Sequence, residues 1–531
     1  MLIFPTKGAF SPEEKIELRI LPFKLNSVYT IELFDLGQCI YRSSYQGSGR
    51  LLLPAQQKDF AGYYVQCQSD DGETASCCVN IQSECRVFRY GFLSDYILDD
   101  NTENIMHLMA SHHINAVQFY DWSYRHDNLV SPSEYYKDMM GKENRLSVVK
   151  NKIRACHVHG MKAIAYGAVY AACREFAEQH KDWRLYAGKD LPLKFIEVFS
   201  IMNPESPWKN HIVSEYRSAL DLGFDGIHMD TYGFPKIAFD ISQTPVYLEN
   251  SLPDLIRHTR NALPDATLVF NNVGGWPLDK TVNSPVDAVY VEVWPPYSRY
   301  AHLKQIITQM ARGQKPMVVA AYPAAFRTDT PDRALNSQLM LMSVIAFHGA
   351  TQIWYGEDGR AITQGYYADN SKLSSQQETS LRGYDDFFVQ YQELLFDPTL
   401  QDVSFSHCGW DNQEYRCSVP FSVDGESEKL WLILRENRAG KLISLLNLTG
   451  DPQDDWASGR NAPLPIQKIS FSVQIEKPVH SVFYASPDEE SPLPIYCDYT
   501  LEQTGRSPVL HFTIPGVNRC GIIWIQFSQQ E

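Results

Sequence analysis

Residues 224–230 read FDGIHMD, and residues 288–294 read AVYVEVW. Successive side chains of a strand point to opposite faces. Ile227 and Met229 therefore share one face, and His228 and Asp230 share the other. In the second stretch Val289, Val291 and Val293 fall together, opposite Tyr290, Glu292 and Trp294. One face is apolar throughout; the other carries a carboxylate near the end of the strand. Parallel strands of a β/α barrel have this character, with the apolar face against helices and the acid at the carboxyl-terminal rim.

Six further strand candidates surround these two: VFRYGFLSDY (87–96), NAVQFYDW (115–122), KAIAYGAVY (162–170), ATLVFNN (266–272), PMVVAAYP (316–323) and TQIWYG (351–356). Segments of helical periodicity lie between them, at 101–112, 144–159, 206–222, 250–262, 299–312 and 333–347. Gly223 and Gly313 follow two of these segments and suit left-handed caps. Eight strand–helix units in about 310 residues match a (β/α)8 TIM barrel. A doubly wound sheet usually has fewer strands, and no Gly-rich phosphate loop follows the first strand.

The flanks read differently. In residues 1–85, Ile16, Leu18 and Ile20 alternate with polar residues, as do Tyr63, Val65 and Cys67, and turn signals separate the runs. From residue 397 to 531 the runs VSFSH, LWLILREN, LISLLNLTG, ISFSVQI, HSVFYA, VLHFTI and GIIWIQF are strand-like. The expected organisation is an N-terminal β-sandwich (1–85), a catalytic barrel (86–396) and a C-terminal β-sandwich (397–531).

Composition narrows the chemistry. The chain has 531 residues and a net charge of −16. So acidic a surface repels phosphate backbones and anionic lipid, which disfavours nucleic acid and membrane as partners. A neutral carbohydrate is compatible, and 30 Tyr, 26 Phe and 10 Trp include rings able to stack on sugar faces. No run of 18 apolar residues occurs. The start, MLIFPTKGAFSPEEK, has no basic n-region or long apolar h-region, so no signal peptide is expected. The expected location is cytoplasmic, or secreted if the sequence is a trimmed mature form. Eleven cysteines without C-x-x-C suit a reducing compartment better than a disulfide framework. The histidines of His112-His113 and His157-x-His159 lack partners at zinc spacing, so no metal site is expected; a structural calcium is left open.

Two inward carboxylates at the rims of strands four and six, with no basic partner on either strand, fit glycosidic cleavage. One carboxylate attacks the anomeric carbon; the other, held protonated, donates to the leaving oxygen. Asp230 and Glu292 are the candidates. Further rim candidates for substrate contact are Tyr120, Asp121, His228, Asn271, Asn272, Trp276, Trp294 and Asp358, the last following Glu357 after strand eight. Asp225 starts its strand facing outward and reads as a turn or cap.

INAVQFYDWSYRHDN, GFDGIHMDTYG and AVYVEVWP resemble glycoside hydrolase family 66, a family of endo-dextranases and cycloisomaltooligosaccharide glucanotransferases. The resemblance runs in order through the barrel and reaches the region of ISLLNLTG. It implies that Asp230 is the nucleophile and Glu292 the general acid/base of a retaining enzyme. It further implies an α-1,6-glucan substrate, either dextran or isomalto-oligosaccharides, and no organic cofactor. It also implies an immunoglobulin-like N-terminal domain and a Greek-key C-terminal domain. The family's cyclising members carry a sugar-binding insert for which this barrel has no room, which favours hydrolysis; transglycosylation on the same site is the alternative. A non-catalytic carbohydrate-binding protein would be favoured by loss of either carboxylate, and both are present. Oligomeric state is not readable from the sequence.

Overall fold

The computed structural model describes residues 1–22, 27–46, 49–365, 370–409, 411–504 and 507–528. Its centre is one eight-stranded parallel sheet, rolled so that its first and last strands meet. In chain order the strands are β1 (Tyr90–Leu93), β2 (Ala116–Phe119), β3 (Lys162–Ala168), β4 (Gly226–Asp230), β5 (Thr267–Val273), β6 (Ala288–Glu292), β7 (Met317–Ala320) and β8 (Thr351–Gln352). Each pairs with its sequence neighbour, and Thr351 Oγ1 donates to Phe88 O (2.6 Å) across the seam between β8 and β1. The chain forms a TIM barrel, and every expected strand is present. Several are shorter than their apolar runs, because ladder pairing stops where the chain leaves for a loop.

The helices of the outer ring are α1 (Thr102–Ser111), α2 (Leu146–Val158), α3 (Trp208–Leu222), α4 (Leu248–Ala262), the single-turn α5 (Leu278–Thr281), α6 (Tyr300–Met310), α7 (Pro331–Phe347) and α8 (Ser375–Gln390). Gly223 caps α3 with φ 121°, as its position suggested. After α6 the left-handed residue is Gln314 (φ 51°) rather than Gly313. Gly313 is required for space instead, since a Cβ there would lie 2.7 Å from Val282 O.

Alternation sorts the core. Ile227, Met229, Val289, Val291 and Val293 join the cluster packed against the helices. Ile164, Val269, Ala288, Tyr290 and Val318 fill the barrel interior with Tyr90 and Phe92.

Two β-sandwiches flank the barrel. The first packs a sheet of Leu2–Pro5, Ile16–Leu21 and Arg50–Leu53 on one of Tyr29–Asp35, Gln38–Tyr45, Ala61–Ser69 and Thr74–Ile81. It meets α8 through Cys78 N–H, which donates to Asp386 Oδ1 (2.7 Å). The second is built on Leu430–Glu436, Gly440–Asn447, Cys520–Phe527 and Val479–Ala485, facing Ile466–Gln474, Ser507–Val517 and Tyr499–Thr504. VSFSH (403–407) is a turn rather than a strand, closed by His407 N–H donating to Val403 O. This second sandwich braces the loop after β6: Trp456 Nε1–H donates to Tyr297 O (2.8 Å) and Trp456 N–H to Ser298 O (2.9 Å). Among the described residues no helix is long and apolar enough to cross a membrane.

Candidate active site

The register of the barrel brings the site together. Ala168 of β3 lies beside Asp230, Met229 of β4 beside Phe270, and Val273 of β5 beside Glu292. Asp230, Asn271 and Glu292 thus project from three adjacent strands at the same end of the barrel.

Asn271 sits between the acids. Its Nδ2 donates to Asp230 Oδ1 (2.7 Å) and to Glu292 Oε2 (3.1 Å). Sharing one donor holds the accepting oxygens within about 6 Å of each other, less than the roughly 6.5–9.5 Å that separates acids with a water between them. Tyr166 Oη–H donates to Asp230 Oδ2 (2.8 Å), and Tyr322 Oη–H to Glu292 Oε1 (2.8 Å). All four carboxylate oxygens therefore accept a hydrogen bond, and no cation pairs with either acid among the described residues. Gly365 lies against Glu292 and Tyr322, and a Cβ there would stand 2.7 Å from Glu292 Oε1.

Burial, reinforced by the charge of Glu292, pushes the Asp230 carboxyl up to about 7. The donors Asn271 and Tyr166 act in the opposite sense. Burial and the neighbouring carboxylate thus disfavour the anionic form of Asp230.

The cleft above the pair encloses about 820 Å³ open to solvent. Gln118 and Tyr120 line it from β2, as alternation predicts. Asp121 lies just beyond the strand with φ 48°; burial, then Asp138, raises its carboxyl to about 7. His228 is buried on the cleft floor beside Tyr90 Oη (3.3 Å), and burial lowers it to about 3, so the ring is neutral. Trp294 stands at the rim between this cleft and a second groove of about 890 Å³, which Trp276 lines with Lys236 Nζ 5.6 Å from its ring.

Two expected contacts line neither the cleft nor the second groove. Asn272 follows the inward Asn271, so alternation turns it outward. Its Nδ2 donates to Tyr290 O (2.9 Å) and its Oδ1 accepts from Thr281, tying β5 to β6 and α5. Asp358 is exposed on a turn (φ 56°) and accepts from Asn101 Nδ2. Its neighbour Glu357 is buried and structural, accepting from Asp95 N–H (2.7 Å) and Lys152 Nζ (3.2 Å). Conversely, Tyr166 and Tyr322 touch the acids and were not singled out. The signal was available: Tyr166 sits two residues beyond the inward Ile164, and Tyr322 two beyond Ala320.

His107, His159 and Glu103 also come together, below the N-terminal sandwich. Nδ1–H of His159 donates to Ala155 O (3.0 Å), so its Nε2 accepts from His107 Nδ1 (3.2 Å). His107 Nε2 in turn faces the Arg19 guanidinium. Both rings are thus engaged in one hydrogen-bond chain running from Ala155 O to the Arg19 guanidinium.

The chain is similar to several known proteins. Two cycloisomaltooligosaccharide glucanotransferases of Niallia circulans are similar. One is 25% identical over 366 residues, covering 60% of this chain and 38% of that protein. The other is 21% identical over 631 residues, covering 88% and 65%. The chain therefore spans less than two thirds of the length of these relatives. Among solved structures, a Paenibacillus sp. cycloisomaltooligosaccharide glucanotransferase complexed with cycloisomaltoheptaose superposes with a TM-score of 0.89 at 18% identity, covering 98% of this chain and 99% of that one. A maltogenic α-amylase of Thermotoga neapolitana follows at a TM-score of 0.51 and 10% identity, over 83% of this chain and all of that one. The family model for glycosyl hydrolase family 66 matches residues 5–520, so the chain belongs to that family.

Proposed function

We propose that the protein cleaves α-1,6-glucosidic linkages of dextran or isomalto-oligosaccharides with retention of configuration, with Asp230 as nucleophile and Glu292 as general acid/base. The observation that carries the reading is the Asn271 amide held between the two carboxylates. Accepting oxygens held within about 6 Å of each other suit a pair in which one acid attacks while the other donates, for which the spacing is roughly 5–5.5 Å. The linkage rests on the relatives, which are named cycloisomaltooligosaccharide glucanotransferases.

In the first step an Asp230 oxygen bonds to the anomeric carbon as the glycosidic C–O bond breaks. Glu292, entering the step in its acid form, gives its proton to the leaving oxygen. Asp230 loses its charge on forming the ester and Glu292 acquires one, so the site never holds two charges. Tyr166 and Asn271 orient the Asp230 oxygens before attack. In the second step Glu292 takes a proton from water, which attacks the anomeric carbon and frees Asp230. No metal or organic cofactor enters this route.

Transfer to a sugar hydroxyl instead of water is the second reading, and the names of the relatives favour it. Chromatography of products from dextran, isomalto-oligosaccharides, starch and pullulan separates these. Linear isomalto-oligosaccharides support hydrolysis, cyclic or longer ones support transfer, and starch cleavage without action on dextran overturns both. Azide tests the roles. Asp230→Ala with azide should give product of inverted configuration, because the anion takes the vacated side of the ring. Glu292→Ala should give a glycosyl azide of retained configuration, formed from the ester on Asp230. The opposite pairing reverses the assignment.

A further inference from the structure

The loop after β3 folds into a hairpin of Lys194–Phe195 and Phe199–Ile201 whose tip reaches the cleft. Val198 N–H donates to Phe195 O (3.2 Å), closing a four-residue turn. Its two central residues, Ile196 and Glu197, have φ of 43° and 59°. Positive φ at both central positions is the mark of a type I′ turn, a place for Asn-Gly or Asp-Gly. A β-branched residue there is a marked outlier, since its Cβ crowds the backbone. The sequence FIEVF favours extended strand, so local preference opposes the observed turn throughout.

The surroundings impose the turn. Phe195 stacks on Tyr232 (ring centroids 4.2 Å, 16°), and Phe199 stacks on His126 (4.8 Å, 3°). These rings line the cleft wall and clamp both arms of the hairpin. Lys194 Nζ meets Glu197 Oε2 (3.0 Å) across the tip. Ile196 itself is left 50% exposed, and its side chain lines the cleft. A strained, apolar, half-exposed residue clamped at the mouth of a site marks a contact with something that enters the site.

We propose that Ile196 is a substrate-contacting residue, offering an apolar surface to the C–H face of an outer glucosyl ring and setting preference for longer chains. The inference rests on the α-1,6-glucan reading of the cleft. Apolar contact suits such a ring, whose axial faces carry C–H groups, and it asks for no directional partner, which fits the lack of hydrogen-bonding groups on Ile196.

The test separates a contact from a structural turn by two readouts moving in opposite directions. Ile196→Gly, and the double change Ile196→Asn with Glu197→Gly, both supply residues suited to positive φ. Each should raise the midpoint of thermal unfolding. Each should also raise KM for isomaltohexaose roughly five- to tenfold with kcat within about twofold, while KM for isomaltotriose changes little, because an outer contact is made equally in ground and transition states. A stabilised variant with unchanged KM for both substrates overturns the proposal. So does a fall in the unfolding midpoint in both variants, because the turn would then be unstrained. A wild-type enzyme inert toward every α-1,6-glucan overturns the functional reading instead.

Discussion

Replacing Asn271 by Leu keeps the approximate volume of the side chain and deletes an amide NH2 group whose N–H donors serve the two carboxylates. Hydrogen bonds to charged groups contribute roughly 1.5–3 kcal/mol each. The bond to Asp230 acts against the burial and the Glu292 charge that raise Asp230 to about 7. Without it, the ionised form of the pair is disfavoured further, so the sign is fixed: proton release must move to higher pH. Losing about 1.4 kcal/mol of preference for the anion equals one pH unit. The acid limb of kcat/KM, which reports ionisation in the free enzyme, should therefore move up by about one to two pH units. Two units below the wild-type limb, kcat/KM should fall roughly tenfold to a hundredfold, and the loss should shrink as pH rises past the displaced limb. Tyr166→Phe removes the other donor to Asp230 and should move the limb the same way. The assay is initial-rate kinetics on one isomalto-oligosaccharide from pH 4 to 9, with circular dichroism at each pH. A rate loss equal at every pH, or a limb displaced to lower pH, refutes the electrostatic role and leaves Asn271 as a positioning side chain alone.

Two other perturbations test the frame around the site. His112 is buried between Asp385 Oδ2 (2.7 Å) and Glu378 Oε1 (3.0 Å). Burial disfavours the charged ring, but Glu378 and Asp385 outweigh it and hold His112 up to about 9. Burial wins at Asp385 whereas Glu378 is lowered, so Glu378 is the ionised partner that matters most. A raised pKa gives stability that is full below the unfolded value of about 6.5 and lost as pH climbs through 9. Unfolding free energy should drop by about 3 kcal/mol over that window, and His112→Gln should flatten the drop. An identical alkaline slope in the variant rejects this. Asn272→Ala should cost about 2 kcal/mol in denaturant unfolding and leave kcat and KM within about twofold, because its bonds all run to the barrel wall; a kinetic defect without loss of stability would return Asn272 to the cleft.

Alternation explains both what the sequence disclosed and where its reading slipped. Asp230 and Glu292 were legible because each ends a strand whose other face is uniformly apolar, so a two-residue period leaves one assignment. The same period, carried through KAIAYGAVY and PMVVAAYP, reaches Tyr166 and Tyr322. Applied to ATLVFNN, it admits Asn271 and excludes Asn272. Those positions were decided by a local rule and needed no knowledge of neighbours. Asp358 is different, because where a loop residue points depends on its tether, here Asn101 from the far side of the seam. No periodicity within 355–367 encodes that.

The hairpin at Ile196 marks the point where local reading stops being informative at all. Its five residues favour a strand, yet the chain turns there because stacked rings from the loops after β2 and β4 fix both arms. Barrel strands repeat one environment eight times, so their residues obey one rule. The loops above them meet a different environment each time, and their conformations are set by tertiary contacts. Residues whose local preference contradicts the structure in one such loop, while the barrel below agrees with its sequence, are not called for by the turn itself. The reason for them should be sought in whatever occupies the cleft they face.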